Sequence, residues 1–436
     1  MRQIMTFCLL LVLILHVPTY VASQSKDMTY DERKQVNSAL DQISKDVLRY
    51  YYDPKLHGVD WDTKVQQARE KIKEEKSLNL AMAHVAAVLD SLNDSHTFLI
   101  PPRRPYILDH GWAVQMIGDK CYVTRVRPGG DADKHGVKPG DQLIAINGYR
   151  VGRDNLWKIE YAFNILRPQP QLTVTLRNTQ GEDHKVLLEA EFRNNKYMGN
   201  PYEMGEWYEE YYSIADSRIR TVEYGSDLLI VKMPSFLFDE NAANKVTSMV
   251  RKHKSVILDV RENPGGNVAM LSAMVGDLFD HDVKISDRVA RDNTKPIVAK
   301  THHHNYDGKV IVVIDSKSAS ASELLARVMQ LEKRGSVVGD RSSGNAMEAK
   351  LYSYIVGTMY GSTAYGASIT DASLIMSDGR SLEHEGVTPD EVLLPNPADL
   401  ANGRDPVLSH AAELAGVKLS PDEAGKLFPY DWPKEH

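Results

Sequence analysis

Lys309 to Gln330 reads KVIVVIDSKSASASELLARVMQ. It opens with an apolar, β-branched run, Val310 to Ile314, of the kind that makes a strand buried on both faces. It closes with Ala321, Leu324, Leu325, Val328 and Leu331, which recur at helical spacing. Between them lies the small-residue turn SASAS. A strand that breaks sharply into a helix holds the turn residue out at the sheet edge. There the helix presents free N–H groups and the positive end of its dipole. Two readings follow for Ser320. It is a nucleophile on a strand-to-helix elbow, or it caps the helix with Glu323 in a capping box.

Working outward, strand and helix patterns alternate from about residue 220. Leu228 to Met233, Ser255 to Val260 and Ser336 to Asp340 read as strands. Asp371 to Met376 and Glu391 to Leu394 read as short strands, and Glu240 to Arg251 and Val268 to Phe279 as helices. This alternation predicts an α/β core over 220–395 with a mainly parallel sheet and crossover helices. The tail, 396–436, is proline-rich and polar around a helical piece, Pro406 to Ala415, and is expected on the surface.

Two further stretches of the core bear on Ser320. Asn263-Pro264-Gly265-Gly266 follows the strand SVILDV. Paired glycines at a strand end let backbone N–H groups converge on an anion, as acyl transfer needs where charge builds on the attacked oxygen. A tight turn without a ligand is the plainer alternative. Glu383, in SLEHEGVTPDEVLL, either orients a histidine or is a solvated carboxylate.

Residues 109–192 change period. GWAVQM and CYVTRVRP alternate as strands do, and Pro139-Gly140 and Asn147-Gly148 flank the short strand Gln142 to Ile146. The GVKPGDQLIAING run resembles a PDZ domain. The resemblance implies a groove that takes a peptide carboxyl terminus by strand addition, with Gly111, Trp112, Ala113 and Val114 at the carboxylate loop. That loop lacks the usual glycine-rich form, and a PDZ-like spacer without a ligand is the alternative. Residues 193–219, with five aromatics and four glutamates from Tyr202 to Tyr212, read as a connector.

Residues 24–108 read as a helical region. Its clearest helix follows the cap Ser77, with Leu78, Met82, Val85, Leu89 and Leu92 on one face. That helix ends in Asp94-Ser95-His96, and a lone histidine there is either structural or a base. Residues 1–23 pair Arg2 with an apolar run, Phe7 to Val17, and small residues at Val21 to Ser23. They read as a signal peptide cleaved after Ser23, which implies a secreted or periplasmic protein. After cleavage no apolar stretch is long enough to span a bilayer, and Cys121 is the one cysteine left, so no intrachain disulfide forms. A formal charge of −7 without a long basic run argues against nucleic acid. His302 to His304 are consecutive and rarely converge on one ion, so no metal and no cofactor is expected.

DVRENPGGN, SASASE, VVGDRSSGN and EHEGVTPD occur in this order and at suitable spacing. Together they resemble the carboxyl-terminal processing (tail-specific) proteases, over about residues 30 to 395. The resemblance implies a multidomain α+β protein with a crotonase-like α/β protease core. It also implies that Ser320 is the nucleophile and that Gly265 or Gly266, with Ala321, supplies the oxyanion donors. One branch of that family uses a lysine directly after the glycine that matches Gly344. Here Asn345 stands in its place, and Lys350 lies five residues beyond. A second branch, similar to the tricorn protease core, uses a histidine in a D-x-H-T-like motif and a glutamate before G-V-x-P-D. That pattern maps onto His96 and Glu383, with Ser95 joining the site. The expected function is therefore a secreted serine endopeptidase acting on protein or peptide substrates. A non-catalytic binder of hydrophobic ligands or peptides on the same scaffold is the alternative, and a homo-oligomer is left open.

Overall fold

The computed structural model describes residues 27–195, 218–238, 240–301, 305–358 and 361–432. The leader 1–23, the aromatic connector Tyr202 to Tyr212 and His302 to His304 lie outside the described residues.

The Lys309–Ile314 strand is central in a six-stranded sheet. The order is Arg220–Tyr224, Leu228–Lys232, Ser255–Asp259, Lys309–Ile314, Gly335–Gly339, Glu391–Val392. The first pair is antiparallel and every other pair parallel, so the sheet is mainly parallel as the alternation predicts. Such a sheet must be covered on both faces. On one face the helices Glu240–Val250, Val268–Leu278 and Ala321–Leu331 bury Leu271, Val275, Leu324, Leu325 and Val328 against Leu229, Leu258 and Val312. The other face is covered by the tail. Pro406–Leu414 packs Val407, Leu408, Ala411 and Ala412 onto Ile230, Ile257, Ile311 and Val313. The tail is therefore a structural layer and not a surface appendage. The apolar sheet face needed a cover, and this is the amphipathic helix that supplies it.

A second sheet, antiparallel, carries the amino-terminal helices. Its spine is Gly361–Met376, which pairs with Met347–Thr358, with Val283–Ala290 and with Phe98–Ile100. Only the end of this long strand, Asp371 to Met376, stands out in the sequence. The helices Tyr30–Tyr50, Trp61–Glu74 and Leu78–Asp90 pack their apolar faces on Tyr354, Val356, Tyr365, Ala367 and Ile369 of the hairpin. Ser77 caps the third helix, accepting the Leu80 N–H at 3.4 Å.

The PDZ-like unit is a separate antiparallel sheet. Its core includes Val123, Leu143, Val174 and Leu188. Trp112–Ile117 is an edge strand, paired with Lys120–Val126.

The carboxyl ends of the parallel strands lie at one edge of the first sheet. The segments that follow Asp259, Ile314 and Gly339 all start there, where open α/β sheets bind their ligands. The antiparallel pairing of Phe98 with Ser368 ties the chain just after His96 to the second sheet.

Candidate active site

Ser320 sits at the junction of the central strand and its helix with φ 53° and ψ −118°. A non-glycine residue there stores on the order of 1–3 kcal/mol of strain and persists only where its surroundings hold it. Here they do. The Ser320 N–H donates to Asn345 O at 2.8 Å and to Glu323 Oε2 at 3.0 Å. The Ala319 N–H and the Ser322 hydroxyl both donate to Asn263 O, at 2.9 and 3.0 Å. Ser318 Oγ donates to Val260 O at 2.8 Å. Capping and the elbow therefore coexist: Glu323 reaches back to the Ser320 N–H while the backbone is bent as an elbow requires.

The glycine loop packs directly against this turn. A Cβ placed on Gly265 would lie 2.6 Å from Ser320 Cβ, so only glycine fits. The Gly265 N–H is committed to Asn263 Oδ1 at 2.8 Å. Gly266 differs. Phe236 bridges to it in parallel fashion, through Phe236 N–H to Gly265 O at 2.7 Å and Asn267 N–H to Phe236 O at 3.2 Å. The residue between two such bonds keeps its own N–H free. Gly266 and Ala321 thus offer backbone N–H groups without an acceptor among the described residues. Of the two glycines, Gly266 is the available donor.

His96, Ser95 and Glu383 form one hydrogen-bonded chain. The Ser95 hydroxyl donates to Glu383 Oε2 at 2.9 Å and lies 2.7 Å from His96 Nδ1. Its single proton is committed to the carboxylate, so the Ser95 oxygen accepts from His96 Nδ1–H. That leaves Nε2 with its lone pair and without a partner among the described residues. Glu383 reaches His96 only through Ser95; it also holds the Ser95 N–H at 2.7 Å. Asp94, buried, organises the loop. It accepts from the N–H groups of His96 (2.9 Å) and Thr97 (2.7 Å) and from the hydroxyls of Tyr51 (2.7 Å) and Thr370 (2.6 Å). Burial lowers the His96 pKa below 6.5, and the nearby carboxylates of Glu383 and Asp94 pull against that.

Residues 344–346 join the two halves. Asn345 O holds Ser320, and one residue on, the Ala346 N–H donates to Glu383 Oε2 at 2.9 Å. Ser320 and the His96 chain are therefore connected through a single two-residue segment. Ser320 Oγ and His96 Nε2 are not within hydrogen-bond distance here, a looseness common before substrate binds. Lys350 is paired with Asp371 at 2.8 Å on the long hairpin, with its side chain 63% exposed.

Glu323 was legible only as a cap. Its buried carboxylate also accepts Ser342 Oγ–H at 2.6 Å and the N–H groups of Gly344 (2.7 Å) and Asn345 (3.0 Å). Burial pushes its pKa up to about 7, against the pull of these four donors. Glu323→Ala leaves the Ser342 hydroxyl and the N–H groups of Gly344 and Asn345 without an acceptor, while the Ser320 N–H keeps Asn345 O, and is expected to destabilise the fold by about 3 kcal/mol or more in chemical denaturation. A carboxyl raised from 4.5 binds its proton more tightly in the folded state. Its contribution is full below pH 4.5 and is lost as pH rises towards 7, so the alanine variant should also lose that part of the pH slope.

Gly111, Trp112, Ala113 and Val114 open the PDZ edge strand. Gly111 has φ 68° and its N–H donates to Asp109 Oδ1 at 2.8 Å. Further along that strand the PDZ-like unit touches the serine turn. Ser316 Oγ donates to Met116 O at 2.5 Å, and Gln115 Nε2 to Asp315 Oδ2 at 2.6 Å. Arg125 pairs with Glu262, just before the glycine loop. Among the described residues no cluster of three or more His, Cys, Asp or Glu side chains is arranged to hold a metal.

Comparison with known proteins agrees with this architecture. Residues 227–393 match the profile described as Peptidase family S41, and residues 109–176 that of the PDZ domain. Carboxyl-terminal-processing peptidase 3, chloroplastic, of Arabidopsis thaliana is 25% identical over 78% of this chain and 65% of its own length. Putative tricorn protease homolog 2 of Streptomyces coelicolor is 24% identical over 88% of this chain and 32% of its own. The chain thus spans less than two thirds of either relative. Among solved structures, mature CPAF superposes with a TM-score of 0.62 at 14% identity, covering 85% of this chain and 94% of that one. The photosystem II D1 C-terminal processing protease superposes at 0.51 with 19% identity, over 92% of this chain and 100% of that one. Both share the fold.

Proposed function

Since the chain is a member of the carboxyl-terminal processing protease superfamily, with an S41 peptidase core and a PDZ domain, we propose that it is a serine endopeptidase. In this reading Ser320 is the nucleophile and His96 the base. The observation that carries it is the Glu383–Ser95–His96 chain, which fixes the proton on Nδ1 and leaves Nε2 with its lone pair and no hydrogen-bond partner among the described residues. A carrier protein has no use for such a relay.

Ser320 Oγ attacks a peptide carbonyl as His96 Nε2 takes its proton. The imidazolium is stabilised through Ser95 by the Glu383 carboxylate. Gly266 and Ala321 N–H groups receive the oxyanion. His96 then gives the proton to the leaving amine, the C–N bond breaks, and water hydrolyses the acyl-enzyme by the same base. Asn345 cannot accept a proton, and Lys350 is paired elsewhere. Proteins or peptides with extended tails are the substrate class, presented along the edge strand Trp112–Ile117. Residues 1–23 are proposed to direct export to the periplasm or exterior. The direct test is hydrolysis of an unfolded protein: release of acid-soluble peptides, blocked by a serine-directed inhibitor, supports the reading, and no release contradicts it.

The base must be neutral, and His96 sits below 6.5. The acid limb of kcat/KM is therefore expected below pH 6.5, with full activity above it. Glu383 raises the His96 pKa, so Glu383→Gln should move that limb to lower pH while reducing the plateau about 10²–10⁴-fold. A pH–rate profile of the two proteins checks both.

A further inference from the structure

We propose that His384 is a positioning residue for His96; the inference rests on the peptidase reading above. His384 lies next to Glu383 but acts on different atoms. Its Nε2 is 2.9 Å from Asn93 O and 3.7 Å from Glu383 Oε1, and its backbone N–H donates to Gly344 O at 2.7 Å. A carbonyl oxygen only accepts, so Nε2 carries the proton. The residue thus ties two segments together. One is Asn93, with φ 52°, where the chain leaves the helix Leu78–Asp90 and enters the Asp94–His96 loop. The other is Gly344, whose neighbour Asn345 holds the Ser320 N–H. His384 is itself held at φ 63°, an unfavourable backbone state for a side-chain-bearing residue.

Glu383 and His384 therefore grip the histidine loop at two points, Ser95 and Asn93, and are themselves bonded to Ala346 and Gly344, on either side of the Asn345 that holds the serine. The grip at Asn93 sets where the loop starts, and with it the direction of His96 Nε2. A side chain that is 56% exposed adds little to the core, so its removal should act on alignment more than on stability.

The test compares wild type, His384→Ala and His384→Gln, with Ser320→Ala as the blank, on a peptide substrate. The glutamine amide reproduces an N–H donor near Nε2. The expected result is a kcat about 10-fold lower for His384→Ala at unchanged KM and unchanged melting temperature. Recovery to within about threefold of wild type is expected for His384→Gln. An unchanged kcat in the alanine variant, a loss confined to KM or accompanied by a matching fall in melting temperature, or no recovery with glutamine would overturn the inference. Wild-type activity no greater than that of Ser320→Ala would instead overturn the peptidase reading beneath it.

Discussion

Ser320→Ala is expected to lower turnover of an unfolded protein by on the order of 10⁶-fold, with a residual rate left to the oxyanion donors and binding. The hydroxyl is the only group on the elbow that can form the acyl-enzyme. Its neighbours Ser318 and Ser322 are fully buried and bonded to Val260 O and Asn263 O. They cannot substitute. Stability should hardly change, because the contacts that fix this residue run through its backbone N–H to Asn345 and Glu323. Ser320→Gly should be as inactive and yet more stable, by about 1 kcal/mol, since φ 53° suits glycine. Steady-state hydrolysis and chemical denaturation of the three proteins check this. A Ser320→Ala variant that still hydrolyses at the wild-type rate would remove the nucleophile from the account.

The second large effect belongs to His96. His96→Ala is expected to cost roughly 10⁴–10⁶ in kcat, and the double variant with Ser320→Ala should be no worse than Ser320→Ala alone. Non-additivity of this kind reports two groups acting in one step. Lys350→Met, which removes an exposed cation and leaves Asp371 paired with Arg288, is expected to leave kcat within a factor of two. A reversed pattern, with His96 dispensable and Lys350 essential, would place the base on the hairpin.

The parallel core was legible because its strands are short apolar runs bounded by turn residues, as in Val310 to Ile314 and Ser255 to Val260. The hairpin Met347–Thr358 with Gly361–Met376 was not. It places Ala367, Ser368, Thr370 and Asp371 in buried positions, and small and polar residues in succession erase the period of two. The tail helix read as surface because its apolar positions, Val407, Leu408, Ala411 and Ala412, are few and small, and only the sheet face shows what they cover.

The candidate site divides in the same way. The elbow and the glycine pair are local patterns, so Ser320 and Gly265-Gly266 could be picked out by eye. The choice between the two glycines could not. It depends on which N–H the Asn263 side chain and the Phe236 bridge consume. The approach of Glu383 to His96 through Ser95 joins positions 288 residues apart, and no spacing rule indicates that the serine would carry the link. Glu323 was visible as a cap, but its buried bonds to Ser342, Gly344 and Asn345 come from a segment that only folding brings alongside.

Covalent labelling with a fluorophosphonate tests the central claim most directly. Wild-type protein at pH 7.5 should acquire one adduct, located by tandem mass spectrometry on Ser320, and His96→Ala should slow that labelling by several orders of magnitude. Labelling of Ser320 at the same rate in both proteins, or no adduct on Ser320 in the wild type, would contradict a serine activated by this histidine.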